Sequence, residues 1–307
     1  MSIDVLQEKI CKLKNPTVAG LDPKPEYIPP HILNACFDEY GKTPKAMATA
    51  FETFCKGLID ALAPIVPAVK PQAAFFEVLG HDGMEALEHV VAYAREKGLY
   101  VIMDAKRGDI GTTAEAYAQA YLGSVDIGGE HYAPYDCDAI TVNGYLGSDG
   151  IKPFTAYCKE AGKSIFLLVK TSNKSSMEVQ DLVAGDRVMY TVMADLAMRL
   201  STDLFGKNGY SNIAAVVGAT HPQVMKDLRA KYPQMFFLVP GYGAQGGTAK
   251  DVQYAFDQLG RGAIVNASRS IMCAWQKAGT DGTDFGEKAA EAAIKMKNDI
   301  GLYVRIL

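Results

Sequence analysis

Eight short apolar runs recur along this chain, and most of them are followed by a stretch with helical periodicity. Each run has the length of a buried strand, and most end in a charged residue, a serine or a glycine. This alternation, with no low-complexity linker, predicts a single (β/α)8 TIM barrel of the α/β class over residues 1–307. A doubly wound sheet is the alternative, but no GxGxxG follows the first run. The runs cover 17–22, 68–77, 99–109, 138–143, 164–172, 214–219, 236–241 and 262–268, and in the third run Asp109 lies beyond the predicted strand end.

Helical patterns fill most of the intervals between these runs. The spacing Thr112-Thr113-Ala114-Glu115 is that of a capping box and predicts a helix start, and His221-Pro222 predicts another. Apolar periodicity indicates further helices at 1–9, 45–63, 83–97, 150–161 and 186–205. Three stretches exceed a minimal barrel and are predicted loop insertions, at 23–44, 123–137 and 172–186.

The carboxyl ends of the predicted strands supply the candidate functional residues, because barrels of this kind collect their reactive groups there. These ends carry charged, amide or hydroxyl side chains, or glycines. They are Asp22, Lys70, Asp104, Lys106, Asp109, Asn143, Ser172, Gly218, the loop 240–247, Ser268 and Arg269.

The third run carries the densest charge. Strand side chains alternate faces, so Asp104 and Lys106 are expected to point the same way, and a turn at Gly108 could bring Asp109 back toward them. Charges at the mouth of an apolar strand are costly to desolvate singly, which predicts a paired network that includes Lys70. A strand-end salt bridge is the simpler interpretation of Lys70 alone. The four alternating charges of Lys70, Asp104, Lys106 and Asp109 at one end of the barrel favour a catalytic network.

The seventh and eighth runs end in a different chemistry. A glycine-rich loop with Gln245 follows the seventh run, and Arg269 follows the eighth. Barrels often bind phosphate at this position through backbone N–H groups and a cation, so we expect a phosphate site. The alternative is a tight turn beside a surface arginine.

Composition excludes several other classes. The net charge of −4 and the lack of a basic run argue against a nucleic-acid partner. No apolar stretch reaches the length of a membrane span, and no signal peptide is present, so a cytoplasmic protein is expected. Six scattered cysteines without a CxxC pair indicate free thiols in a reducing compartment. No HxH or HExxH motif indicates a metal site. We interpret His131 and His221 as surface or capping residues.

The ordered motifs resemble those of the orotidine 5′-phosphate decarboxylase family, in the form used by its second bacterial subfamily. The run 104–114 is similar to the family's DxKxxD signature. Supporting matches occur, in order, at Leu21-Asp22, at Val69-Lys70-Pro71, in the loop 239–245 and at Ser268-Arg269. The sequence departs from the pattern at Ser268, where the family usually has glycine.

The resemblance implies a reaction and a set of catalytic residues. Orotidine 5′-phosphate would lose CO2 to give UMP, the final step of pyrimidine nucleotide synthesis, with no cofactor and no metal. Lys106 would deliver a proton to C6 of the pyrimidine, and Asp104 would sit beside the substrate carboxylate. Lys70 and Asp109 would complete the charged network and touch the ribose.

The resemblance also implies how substrate binds and how subunits assemble. Asp109 and Thr113 would reach into the site of another subunit, which implies a homodimer with shared active sites. Asp22 would bind the ribose and Ser172 the pyrimidine, with Thr171 and Asn173 as rivals to Ser172. Pro240 would begin a lid over the nucleotide, and Gln245 and Arg269 would hold its phosphate.

Two other functions stay open on the sequence. A magnesium-dependent aldolase or sugar-phosphate decarboxylase of the same barrel type would bind its metal with Asp104 and a further carboxylate, for which Glu77 is the obvious candidate. A nucleotide-binding barrel without catalytic activity is the other possibility.

Overall fold

A computed structural model describes residues 1–243 and 245–307. Its eight parallel strands, β1 to β8, close into a barrel in which each strand pairs with its neighbours in the chain, and β1 closes the ring against β8 through the partners Thr17 and Val265. The predicted (β/α)8 fold is therefore confirmed. The strands are β1 (Thr17–Leu21), β2 (Ala68–Pro71), β3 (Tyr100–Arg107), β4 (Ala139–Val142), β5 (Ser164–Lys170), β6 (Ile213–Val217), β7 (Phe237–Val239) and β8 (Ala263–Ala267).

Side-chain alternation along the strands builds two cores. Val18 and Ile102 point into the barrel, whereas their neighbours Ala19 and Val101 pack against the surrounding helices. The N-terminal helix adds Ile3, Leu6 and Ile10 to the interior core. This helix therefore closes the amino-terminal end of the barrel and leaves the carboxyl end open.

The helices follow the predicted intervals closely, and none in the described ranges is both long and apolar enough to cross a membrane. Longer helices cover Ser2–Leu13, Pro30–Tyr40, Pro44–Leu62, Gly80–Glu96, Gly111–Leu122, Ser148–Glu160, Met189–Leu200, Pro222–Lys231 and Phe285–Gly301. Short helices cover Ala73–Glu77, Met177–Gln180, Ala249–Val252, Arg269–Met272 and Ala274–Ala278, with 3-10 turns at Pro25–Tyr27, Lys174–Ser176 and Gln253–Ala255.

Two local predictions were wrong. The second run does not continue as a strand to residue 77, because β2 ends at Pro71 and Ala73–Glu77 is helical. The capping box at Thr112 is not formed, since the helix already begins at Gly111 and its N-cap is Ile110, whose side chain cannot accept a hydrogen bond.

The three insertions are structured. The first contains the helix Pro30–Tyr40, the second an antiparallel hairpin of Val125–Ile127 with Glu130–Tyr132. The third, after β5, contains a 3-10 turn and a short helix and then enters a small hairpin of Val183–Ala184 with Arg187–Val188. The first insertion, through Lys24 and Tyr27, and the third insertion, through residues 173–180, both reach the open end of the barrel cavity.

Candidate active site

The carboxyl ends of the strands open into a cavity of about 910 Å³. Eight of the ten site residues predicted from the sequence line it, whereas Asp109 and Thr113 do not. The eight are Asp22, Lys70, Asp104, Lys106, Ser172, Pro240, Gln245 and Arg269.

The cavity floor has a polar half and an apolar half. Inward-facing side chains of β2 to β4 contribute Lys70, Asp104 and Thr141, and β8 adds Asn266. The opposite half consists of the last inward-facing aliphatic side chains of β5 to β7, which are Leu168, Val216 and Leu238. A ligand on this floor therefore meets charge on one side and a water-poor surface on the other.

Asp104 is the centre of the charged network. Its Oδ2 accepts from Lys70 Nζ at 2.5 Å, and its Oδ1 accepts from Lys106 Nζ at 2.6 Å and from the Thr141 hydroxyl at 3.0 Å. Lys70 and Asp104 are buried, but the Lys106 side chain is 46% exposed. Lys106 is therefore the cation of this network that a ligand reaches.

A bulge in β3 sets this arrangement. Between the register pairs Met103–Ile140 and Arg107–Val142, β3 advances four residues while β4 advances two. Lys106 takes a left-handed backbone with φ of 47°, and its N–H donates to the Thr141 hydroxyl at 2.9 Å. Regular strand alternation predicted the right partners, but the structure brings them together through the bulge.

Both buried groups are held in their charged forms. Burial alone would raise the pKa of Asp104, but the ammonium groups of Lys70 and Lys106 outweigh it and hold that pKa well below its ordinary value. Burial would lower the pKa of Lys70, and the charges of Asp104 and Asp22 reverse this effect and raise it. At neutral pH the floor therefore carries fixed charges of both signs.

Asp109 does not return to the network within its own chain, contrary to expectation. Its Oδ1 accepts from the N–H of Ile110 at 2.8 Å, and in the described ranges it forms no ion pair with a lysine. Lys106 therefore contacts one aspartate of this chain instead of lying between two. Thr113 is exposed on the helix that follows.

The residues predicted to hold a phosphate line the cavity. Arg269 is exposed, Gln245 is a second lining residue, and Arg269 has no carboxylate partner in the part of the chain that the structure describes. Gly241 has φ of 95°, and a side chain there would lie 3.0 Å from both Gln245 Oε1 and Ser172 Cβ. Glycine at this position therefore allows the loop to approach Ser172, just after β5, so closely.

The departure at Ser268 has a structural reason. A Cβ on Gly20 would lie 1.9 Å from Ser268 Oγ, so this hydroxyl occupies the space that the glycine leaves above β1. The Ser268 side chain therefore packs without displacing Arg269 from the cavity rim.

Hydrogen bonds distinguish Ser172 from Thr171 and Asn173, the two alternative ligand-binding residues. The Thr171 hydroxyl donates to Asn173 Oδ1 at 2.6 Å and accepts from Gln180 Nε2 at 2.8 Å. Ser172 packs closely against Gly218 and Gly241 at the cavity wall. The geometry therefore favours Ser172 as the group available to a ligand.

Sequence reasoning missed several polar residues of the cavity and its wall. Thr141 was predictable in principle, because it is the polar member of the inward face of β4. Asn266 and Gln72 also line the cavity, and Lys170 at the end of β5 is buried behind its wall, where it donates to Asp181 at 2.6 Å. Polar positions inside otherwise apolar strands were the available signal.

Glu77 does not join the site. It lies on the helix Ala73–Glu77, is not among the residues lining the cavity, and pairs with Arg107. The carboxylate that the magnesium hypothesis requires is therefore held elsewhere. Asn143 and Gly218, two further strand-end candidates, also do not line the cavity.

Comparison with known proteins agrees with this geometry. The model of the orotidine 5′-phosphate decarboxylase/HUMPS family matches residues 21–280. The orotidine 5′-phosphate decarboxylase of Rhodopirellula baltica is 41% identical over 96% of this chain and 97% of its own length. The orotidine 5′-phosphate decarboxylase of Caldicellulosiruptor bescii is also 41% identical, over 89% of this chain and 90% of its own length.

Solved structures give the same result. The OMP decarboxylase of Leishmania donovani superimposes with a TM-score of 0.70 at 31% identity, covering 97% of this chain and 98% of that one. The UMP synthase of the same organism superimposes with a TM-score of 0.73 at 34% identity, and the match covers 97% of this chain and 56% of that longer chain. This chain therefore belongs to the orotidine 5′-phosphate decarboxylase family.

Proposed function

We propose that this protein converts orotidine 5′-phosphate to UMP and CO2, the last step of pyrimidine nucleotide synthesis. The observation that carries the proposal is the Lys70–Asp104–Lys106 network, whose exposed member is an ammonium group on the cavity floor. The relatives that share the fold and most of the chain's length have names that include this activity.

The reaction needs a cation where negative charge develops. When the bond from C6 to the carboxylate breaks, the electron pair stays on C6 as a poorly delocalised carbanion. Lys106 stabilises this charge as it forms and then transfers a proton from Nζ to C6, which gives UMP and a neutral amine. Solvent protonates the amine for the next turnover. A preorganised ammonium in a site that excludes water is the strongest available means of lowering such a barrier.

Asp104 and Lys70 act through position and charge. Asp104 orients Lys106 through its Oδ1 and would lie beside the substrate carboxylate, which leaves as neutral CO2. Lys70 neutralises the other oxygen of Asp104 and extends the network toward the ribose. The apolar half of the floor, which includes Leu168 and Leu238, excludes water from the reacting face.

The remaining predicted residues bind the nucleotide. Arg269 and Gln245 hold the phosphate at the rim, and Pro240 begins the glycine-rich loop that closes over it. Ser172 contacts the pyrimidine, and the Asp22 carboxylate accepts from the ribose. One Asp22 oxygen is buried with no hydrogen-bond partner among the described residues, as a group that awaits a ligand donor would be.

We include a homodimer with shared sites in the proposal. Asp109 does not line the cavity of its own chain, and close to it lies an apolar patch of Ile110 and Leu146, which are 56% and 52% exposed. The Asp109 backbone carbonyl and the Leu146 side chain both approach Gly150, so Asp109 lies next to this patch. A second copy that covers the patch would receive Asp109 and Thr113 in its cavity and supply the second aspartate for Lys106.

A cytoplasmic location completes the proposal. The six cysteines are all unpaired in the structure, and five are buried, as expected of a protein that folds in a reducing compartment.

The test is direct. Purified protein is mixed with orotidine 5′-phosphate and a chelator, and the ultraviolet absorbance of the substrate is followed. The expected result is complete conversion to UMP at a rate that the chelator does not change. Binding of UMP without turnover would instead indicate a non-catalytic barrel, and turnover of ketose phosphates that the chelator abolishes would indicate the magnesium alternative.

A further inference from the structure

Asn266 occupies an unusual position for an amide side chain. It lies at the end of β8, lines the cavity floor, and is only 8% exposed. Its Nδ2 lies 3.3 Å from the Ser268 hydroxyl, while its Oδ1 is buried and has no hydrogen-bond partner in the described ranges. A buried acceptor without a donor is costly, and native structures rarely keep one without a use.

A second unpartnered acceptor lies close by. The ideal Cβ position of Gly20 is 3.1 Å from Asn266 Oδ1, and Asp22, which directly follows β1 two residues after Gly20, lines the same cavity. Asp22 Oδ1 is also buried without a partner among the described residues. Two unpartnered acceptors therefore line the cavity, and the Asn266 amide oxygen lies against the strand that leads into Asp22.

The chemistry of these two groups selects a ligand donor. Both are hydrogen-bond acceptors, so they favour hydroxyl groups and disfavour the carbonyl oxygens of a pyrimidine. Arg269, the proposed phosphate ligand, is only three residues from Asn266. Since the ribose is bonded directly to the phosphate, it is the part of a nucleotide that falls between Arg269 and the floor.

We propose that Asn266 is a substrate-binding residue whose Oδ1 accepts a hydrogen bond from one of the two ribose hydroxyls, beside Asp22. This inference rests on the proposed function, because it takes the ligand to be a ribonucleotide. Asn266 thereby helps the site to distinguish ribonucleotides from deoxyribonucleotides. A site that hydrogen-bonds a hydroxyl rejects analogues that lack it, since its own polar group is then left unpaired.

The test uses full-length protein and calorimetric titration with UMP, 2′-deoxy-UMP and 3′-deoxy-UMP. Asn266→Ala should weaken UMP binding about tenfold, as expected for one lost hydrogen bond to a buried group. One of the two deoxy analogues lacks the hydroxyl that Asn266 contacts. The affinity for that analogue should not change in Asn266→Ala. Asn212→Ala is the matched control, because Asn212 is a buried amide at the opposite end of the barrel that bonds Ile3 and Ser164. Its ratio of UMP to deoxy-UMP affinities should equal that of the wild type.

A second variant separates binding from stability. Asn266→Leu has nearly the same size, removes the unpaired acceptor, and should keep or raise the melting temperature while it loses UMP affinity. If the alanine variant is unstable, the leucine variant supplies the same comparison of ligands. Equal weakening of all three ligands, or no weakening of UMP binding, would overturn the role of Asn266. Failure of the wild type to bind UMP would instead remove the proposed function, and this inference with it.

Discussion

At the residue scale, the lysines of the cavity floor are paired with an aspartate, whereas the arginine at the rim is not. Lys70 and Lys106 share Asp104, whereas Arg269 has no carboxylate partner in the described part of the chain. A free cation at the rim of a cavity suits a dianionic phosphate.

Replacement of Arg269 should therefore affect substrate binding. We expect Arg269→Ala to raise KM for orotidine 5′-phosphate by roughly one to three orders of magnitude, the usual range for a lost charge-assisted contact. Steady-state kinetics measure this, and Arg305→Ala, which removes an exposed arginine outside the cavity, is the control. An unchanged KM would place the phosphate elsewhere.

The buried charge network predicts a pH dependence of stability. The folded-state pKa of Asp104 lies below its unfolded value, so its contribution to stability is complete above about pH 4 and is lost as pH falls through the folded pKa. In Lys70→Met one compensating charge is gone and burial raises the pKa of Asp104. The folded and unfolded pKa values of Asp104 then lie closer together, so the loss of stability below about pH 4 should be smaller in Lys70→Met than in the wild type. Thermal unfolding from pH 3 to 7 measures both proteins, and parallel profiles would contradict the assigned coupling.

At the element scale, hydrogen bonds tie the two ends of the segment after β5 to each other. Thr171 N–H donates to Gln180 Oε1 at 2.9 Å, and the buried Lys170 ammonium donates to Asp181 at 2.6 Å. Between these anchors, Ser175, Ser176 and Val179 line the cavity. The anchors therefore hold this segment over the site.

The two halves of the Lys170–Asp181 pair should not be equivalent. Asp181→Ala leaves a buried ammonium unpaired and should destabilise the protein by about 1–3 kcal/mol, less than a fully buried pair because Asp181 is 42% exposed. Lys170→Met fills the same space without charge and should cost less. Chemical denaturation compares the two variants. A larger loss in Lys170→Met would contradict the argument.

The elements also show which predictions the sequence supports. Eight strands, the main helices and the meeting of Asp104 with Lys106 follow from periodicity and from the rule that strand ends share one face. Periodicity does not predict the β3 bulge, the helix at Ala73–Glu77 or the absence of the capping box, because tertiary packing determines these features. Local spacing also could not show that Asp109 stays outside the charged network of its own chain.

At the scale of the whole molecule, one end of the barrel is closed by the N-terminal helix and the other carries the cavity. That residues 1–307 form a single domain stays a prediction, which the packing of this helix into the barrel interior supports. The site itself is incomplete in one chain if Lys106 requires a second aspartate.

The proposed dimer predicts complementation. A Lys106→Ala protein and an Asp109→Ala protein, each inactive alone, should recover activity when mixed, because each heterodimer contains one cavity with both wild-type residues. Activity after subunit exchange measures this, with Lys106→Ala alone at the same concentration as the control. No recovery despite demonstrated exchange would show that Asp109 does not act across subunits.

In the proposed reaction, Lys106 is both the cation and the proton donor of the cavity floor. The most direct measurement compares turnover of orotidine 5′-phosphate with UMP affinity for wild type and Lys106→Ala, using Lys163→Ala as a lysine paired with an aspartate outside the cavity. We expect Lys106→Ala to bind UMP measurably while turnover falls by at least about 10²–10⁴, the usual contribution of a general acid. Turnover near the wild-type rate in Lys106→Ala would contradict the central claim.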